Sequence, residues 1–244
     1  MWKRISHGLG PVEGKLVEQI YMEEREFETN AIRMQMDRSG NLEHSAPLYL
    51  TSSFVFEDAE DMRASFAEEK DRNIYSRYAN PNTSELISKV CQMEGAEAGF
   101  AFASGMAAVY STFAALLESG DHIVSCSSVF GSTLSLYQNF FPKWKISTDL
   151  FNVNDSAAAI EALIKPNTKV IYVESPTNPG VDILDLQMIG DIAAKHGLIL
   201  IVDNCFASPY LQQPISFGAH LVVHSATKLI DGQGRVLGGI TVGE

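Results

Sequence analysis

The segment His224-Ser225-Ala226-Thr227-Lys228 follows an apolar run and gathers two hydroxyls and an amine within five positions. A lysine held where a strand ends and partly desolvated has a depressed pKa, which frees its neutral amine to form an imine with an aldehyde. Ser225 and Thr227 are placed to offer hydroxyls to a phosphate beside it. A lysine after a strand is commonplace, so the segment gains meaning only from its neighbours. Asp203 closes the apolar run 198–202, which puts a carboxylate at the C-terminal edge of a sheet, where α/β proteins bind ligands. A buried carboxylate needs a partner, and a protonated pyridine nitrogen would serve, keeping the ring able to accept electrons. Capping of the next turn is the alternative for Asp203. Ser104-Gly105-Met106 opens a helical pattern directly after the run 98–103. Unpaired backbone amides and the positive end of the helix dipole favour an anion there, and Gly105 lets the backbone approach it, although an ordinary N-cap has the same appearance. Three signals on successive strand ends are stronger together, because such ends converge on one cleft.

The elements that must position these residues are legible as alternating patterns. Apolar runs at 98–103, 122–126, 169–174, 198–203 and 221–224 alternate with helical stretches. Strands that are apolar throughout and separated by helices predict a parallel sheet covered on both faces, an α/β domain. Residues 104–118 predict a buried helix closed by Gly120, and residues 185–196 an amphipathic helix stopped by Gly197. Residues 1–60 lack this rhythm; they mix charge clusters such as 23–26 with extended stretches near 46–56. They are expected to form an arm that packs on something else, or a disordered tail over the first ~20 positions. The division expected is an arm at 1–60 and a ligand-binding domain at 61–244.

Composition narrows the partners. With 18 Lys and Arg against 30 Asp and Glu, the formal net charge of -12 argues against nucleic acid and anionic membrane surfaces, leaving small molecules. Cys91, Cys126 and Cys205 match neither a disulfide framework nor a zinc pattern and lie in or beside apolar stretches, as reduced core residues of a cytoplasmic protein would. No run is long and apolar enough to cross a bilayer, and the first residues carry no secretory pattern. His220 and His224, four positions apart on a strand rising ~3.3 Å per residue, stand about 13 Å apart, too far to share a metal. The glycines after Lys228 lack the spacing of a dinucleotide fingerprint, and neither a Walker sequence nor a nucleophile elbow occurs.

Five stretches together resemble the γ-family of pyridoxal-phosphate (PLP) enzymes of cysteine and methionine metabolism, over residues 28–244. They are Tyr75-Ser76-Arg77 before Asn80-Pro81, the run from Ala103 to Ala108, the run from Glu174 to Pro179, Val202-Asp203-Asn204, and His224 to Lys228. The resemblance implies the large domain of the fold type I transferases, a mostly parallel, seven-stranded-type sheet. It implies that Lys228 holds the cofactor, Asp203 pairs with the pyridine nitrogen and Asn178 lies near the ring hydroxyl. Ser104, Gly105, Met106, Ser225 and Thr227 would bind the phosphate, joined by Tyr75 and Arg77 from a neighbouring subunit, in a homo-oligomer built as a dimer of dimers. Arg77 suits this because a guanidinium grips phosphate through two parallel bonds.

Within the family, residues 231–239 and 128–133 most resemble the branch that uses succinylhomoserine, where Phe130 stands in place of the more common tyrosine. Phe130 can stack on the ring but has no hydroxyl for proton transfer. The implied reaction is γ-replacement, in which sulfide displaces succinate from an amino-acid substrate. Members of the family continue past the point matching Glu244 into a C-terminal domain, so the chain reads as a fragment ending inside a strand. Such an ending is expected to leave an unpaired sheet edge.

Overall fold

The structure is a computed structural model and describes residues 26–34 and 38–244; residues 1–25, with most of the charge cluster at 23–26, lie outside the described residues. The chain forms two compact units that divide between Lys89 and Val90. The second unit is built on a seven-stranded sheet comprising β1 (Ala98–Phe102), β2 (His122–Cys126), β3 (Ser147–Phe151), β4 (Thr168–Glu174), β5 (Ile199–Asp203), β6 (Leu221–His224) and β7 (Gly239–Gly243). Their order across the sheet is β1-β7-β6-β5-β4-β2-β3. Strands β2 to β6 pair in parallel, while β7 runs antiparallel to both of its neighbours, β1 and β6.

Two expectations are corrected here. β3 escaped the sequence reading because its residues Ser-Thr-Asp-Leu-Phe occupy the edge of the sheet and only Phe151 is buried, which breaks the all-apolar pattern of an interior strand. The unpaired edge expected at the last strand does not arise, because β7 inserts between β1 and β6 and every residue in it is buried. The edges of the sheet are β1 and β3.

Both faces of the central strands are covered. Side chains alternate along a strand, and the alternate residues Val170, Ile171, Tyr172, Val173, Leu200, Ile201 and Val202 are all fully buried. One face carries Val170, Tyr172, Ile201, Leu221 and Val223 against Ala108, Val109 and Phe113. Those three belong to the helix Gly105–Leu116 (α4), whose predecessors are α1 (Phe27–Arg33), α2 (Ala59–Phe66) and α3 (Pro81–Glu94). Ser104 caps α4 by accepting from the Ala107 N–H, and the helix is capped at Leu117, one residue short of the end at 118 read from the sequence. It is buried on one side only, with Tyr110 exposed. After α5 (Gly131–Ser135) and α6 (Ala157–Glu161) comes α7 (Leu186–His196), capped by Asp185 and stopped by Gly197 in the left-handed conformation, as its sequence predicts. No helix among the described residues is long and apolar enough to cross a membrane.

In the first unit, Asn80 and Asn82 hold the extended stretch near Tyr49: the Asn82 side chain accepts from the Tyr49 N–H at 2.8 Å, and the Asn80 amide donates to the Tyr49 carbonyl at 3.0 Å. A bridge between Ser53 and Tyr75 ties that stretch to the loop carrying Arg77.

Candidate active site

The C-terminal ends of β1, β4, β5 and β6 and the start of β7 share one edge of the sheet, as the parallel and antiparallel pairings require. Glu174 and Asp203 end β4 and β5 and are partners in register. Strand alternation points both carboxylates to the α4 side, the side of Tyr172 and Ile201. Both are buried. Asp203 accepts from the Tyr172 hydroxyl at 3.1 Å and from the Cys205 N–H at 3.1 Å. Glu174 accepts from the Phe130 N–H at 2.6 Å.

Their electrostatics follow from the burial. Desolvation raises the Asp203 carboxyl, opposed by the Cys205 N–H, the field of His224 and the Tyr172 hydroxyl. Glu174 is pushed up to about 8, first by desolvation and then by the charge on Asp203, against the backbone N–H groups of Phe130 and Asn178. Two adjacent carboxylates in a dry site cannot both ionise cheaply, so near neutral pH Glu174 keeps a proton.

One side of the site is set by close backbone approach. A Cβ on Gly105 would lie 2.6 Å from the Ser225 Cβ, and one on Gly239 would lie 2.0 Å from the Ser104 carbonyl oxygen. Only glycine lets the start of α4 pack this tightly on the end of β6 and the beginning of β7. The Cys205 thiol, 3.6 Å from the Ser225 carbonyl oxygen, joins this corner to Asp203. Met106 packs on the core beneath α4. The Thr227 hydroxyl donates to the Gly238 carbonyl at 3.2 Å and accepts from the Gly238 N–H at 3.1 Å, closing the loop between β6 and β7.

Lys228 is exposed, not partly desolvated as expected. Its N–H donates to the Ser225 carbonyl and its own carbonyl accepts from Gly232, which places it in a turn beyond β6. Phe130 is 43% exposed, and its carbonyl accepts from Thr133 and Leu134 to start α5. Asn178 is half-buried in the loop after β4. Thus Ser104, Gly105, Met106, Phe130, Asn178, Asp203, Ser225, Thr227 and Lys228 all belong to the second unit, whereas Tyr75 and Arg77 belong to the first. There Arg77 lies over the rings of Tyr75 and Tyr78, at 4.8 and 5.1 Å from their centroids.

Sequence reasoning missed two contributors. Tyr172 sits inside an all-apolar strand and reads as core, yet a phenol there must find an acceptor, and Asp203 is that acceptor. Glu174 was legible only as part of a motif; its role depends on strand register. His224 faces away from the site, where its Nε2 meets Glu94 Oε1 at 2.6 Å, and the same oxygen accepts from Asn204 at 2.8 Å. All three cysteines are buried, consistent with core roles, and burial raises each thiol. Among the described residues no group of His, Cys, Asp or Glu is arranged to hold a metal ion.

A glycine cradle at the start of a 12-residue helix and a buried carboxylate suit a phosphorylated, cationic aromatic. Side chains of this kind do little chemistry alone; on an α/β sheet edge they define an enzyme domain that works through a bound organic cofactor. The family model described as "Cys/Met metabolism PLP-dependent enzyme" matches residues 28–244, and the chain belongs to that family. It is 46% identical over 217 residues to an O-succinylhomoserine sulfhydrylase of Pseudomonas aeruginosa, covering 89% of this chain and 54% of that protein. An L-methionine γ-lyase of Porphyromonas gingivalis is 38% identical over 201 residues, covering 82% of this chain and 50% of that one. A Campylobacter jejuni crystal structure that carries N'-pyridoxyl-lysine-5'-monophosphate superposes with a TM-score of 0.86 at 33% identity, over 91% of this chain and 54% of that one. The chain spans about half the length of the curated relatives it matches.

Proposed function

We propose that this chain forms the cofactor-binding part of a PLP-dependent γ-replacement enzyme of the cytoplasm. It would convert O-succinylhomoserine and sulfide to homocysteine and succinate in methionine biosynthesis. The observation that carries the reading is the buried Asp203 carboxylate, which faces the same side of the sheet as the glycine-lined start of α4. When bound, pyridoxal phosphate supplies an electron-withdrawing ring that stores the electron pair left behind when a substrate C–H bond is broken.

The chain's own residues divide the remaining work. Asp203 holds the pyridine nitrogen protonated, because a buried anion is stable only beside a cation or a proton. The amides at Gly105 and Met106, with the hydroxyls of Ser104, Ser225 and Thr227, receive the phosphate. Phe130 would stack on the ring, and Asn178 would stand near the ring hydroxyl. Lys228 would anchor the cofactor, and its amine would move protons at the substrate's α and β carbons. Tyr75 and Arg77 serve the phosphate of a neighbouring subunit in a dimer of dimers. In the net reaction the substrate's Cγ–O bond to succinate breaks and a Cγ–S bond to sulfide forms.

The likeness to the Pseudomonas aeruginosa sulfhydrylase supports the succinyl ester. Likeness to an L-methionine γ-lyase and to a cystathionine γ-lyase of Bacillus subtilis supports elimination as the second reading. Acetyl-ester sulfhydrylase and cystathionine γ-synthase activity are nearby variants of the first, and a non-catalytic cofactor-binding module is the reading of another class. Succinate release with sulfide, measured beside turnover of the acetyl ester, cystathionine and methionine, tests the assignment. Succinate release should exceed every alternative at least tenfold; faster methionine or cystathionine breakdown would overturn it in favour of the lyase reading.

A further inference from the structure

Glu174 has a role that the proposed reaction leaves unassigned. Its carboxyl is 2% exposed, sits in register with Asp203 and accepts the Phe130 N–H at 2.6 Å. The Phe130 carbonyl is committed to the first turn of α5, so Glu174 completes a backbone clamp on both sides of the aromatic residue that the cofactor reading places against the ring. We infer that Glu174 is a positioning residue that couples the placement of Phe130 to the charge on Asp203 by holding the one proton the two carboxylates can share.

The geometry makes the coupling direct. While Glu174 is neutral, Asp203 is the single anion of the pair and can face a cationic ring. When Glu174 ionises, its bond to the Phe130 N–H becomes charge-assisted, and the two carboxylates repel across adjacent strands. The groups that act on the pair are Tyr172 from β4, Tyr137 from the segment after α5, Cys205 after β5, His224 at the end of β6 through its field on Asp203, and, through Cys205, Lys228 after β6. Burial raises both phenols and the Cys205 thiol, so these remain neutral near the Glu174 transition, expected at about pH 8. Removing the Glu174 carboxyl while leaving His224 in place is what assigns the proton exchanged there.

This inference rests on the PLP reading, and its test has one arm that does not. In cofactor-free protein, infrared difference spectra between pH 6 and 10 should show a protonated carboxyl band that disappears with a midpoint within about one unit of 8. Glu174→Gln should remove that band. In protein loaded with pyridoxal phosphate, visible circular dichroism should change with the same midpoint in the wild type. Glu174→Gln keeps an acceptor for the Phe130 N–H and should give a signal independent of pH. Glu174→Ala, which removes the acceptor, should give a weaker signal at every pH. A Gln variant that retains the carboxyl transition, or an Ala variant whose dichroism matches the wild type, overturns the inference. Failure to take up pyridoxal phosphate with an intact infrared transition would instead sink the cofactor reading.

Discussion

A carboxylate without water around it must find a cation or a proton, and Asp203 and Glu174 meet that need differently. Asp203→Asn keeps the shape and the acceptor for the Cys205 N–H while removing a desolvated charge, and the Tyr172 hydroxyl can turn to accept from the new amide instead of donating. The cofactor-free protein should therefore be as stable as the wild type or more so, while affinity for pyridoxal phosphate falls by ~2 kcal/mol or more. Denaturant midpoints beside cofactor titrations check both halves; a variant that loses stability and keeps affinity would show that Asp203 is structural. Glu174 makes a prediction about pH. Its folded pKa of about 8 stands above its ordinary 4.5, so between those values the folded state holds a proton that the unfolded chain releases. Stability must then fall as pH rises across that window and level off above it. The carboxyls lowered by partners, such as Asp149 beside Lys165, act in the opposite sense and only at lower pH. Thermal midpoints of wild type and Glu174→Gln across the window should show the slope flattening in the variant.

Among the elements, legibility followed burial. The interior strands β2, β4, β5 and β6 were read within a residue or so because each is buried along nearly its whole length and centred on an apolar run. β3 was not, since an edge strand with half-exposed polar residues carries no such mark. The antiparallel course of β7 was hidden for another reason: direction in a sheet depends on the connection, and residues 229–238 hold no helix to signal a crossover. For the site, the residues that end strands were found from their positions, but the pairing of Glu174 with Asp203 is a property of register, which no single strand contains. Packing between elements offers its own test at Gly190 of α7, where a Cβ would lie 2.0 Å from the Phe217 carbonyl oxygen. Gly190→Ala should force α7 off its neighbour and cost ~1–3 kcal/mol, read as a lower urea midpoint. An unchanged midpoint would mean that the contact relaxes freely.

At the scale of the whole molecule, the division after Lys89 separates Tyr75 and Arg77 from the residues at the sheet edge. If those two serve a neighbour's phosphate, sites are made jointly, and a mixed assembly can repair what each parent lacks. Co-assembly of Arg77→Ala with Lys228→Ala chains should restore up to about a quarter of the activity, the share expected when random pairing leaves one intact site in two dimer arrangements out of four. Mixed oligomers that stay as inactive as their parents would mean that each chain supplies its own Arg77. The position of β7 has a consequence for how the chain is made. Ala98 pairs with Gly243, and β1 reaches the rest of the sheet only through that late strand. On a ribosome delivering the chain from its N-terminus, β2 to β6 can assemble as they emerge, while β1 must wait, its pairing groups open, until nearly the last of these residues appears. The glycine-lined corner between Ser104 and Gly239 closes in that same step, so a contact between residues far apart in the chain is born late, after the strands between them have paired.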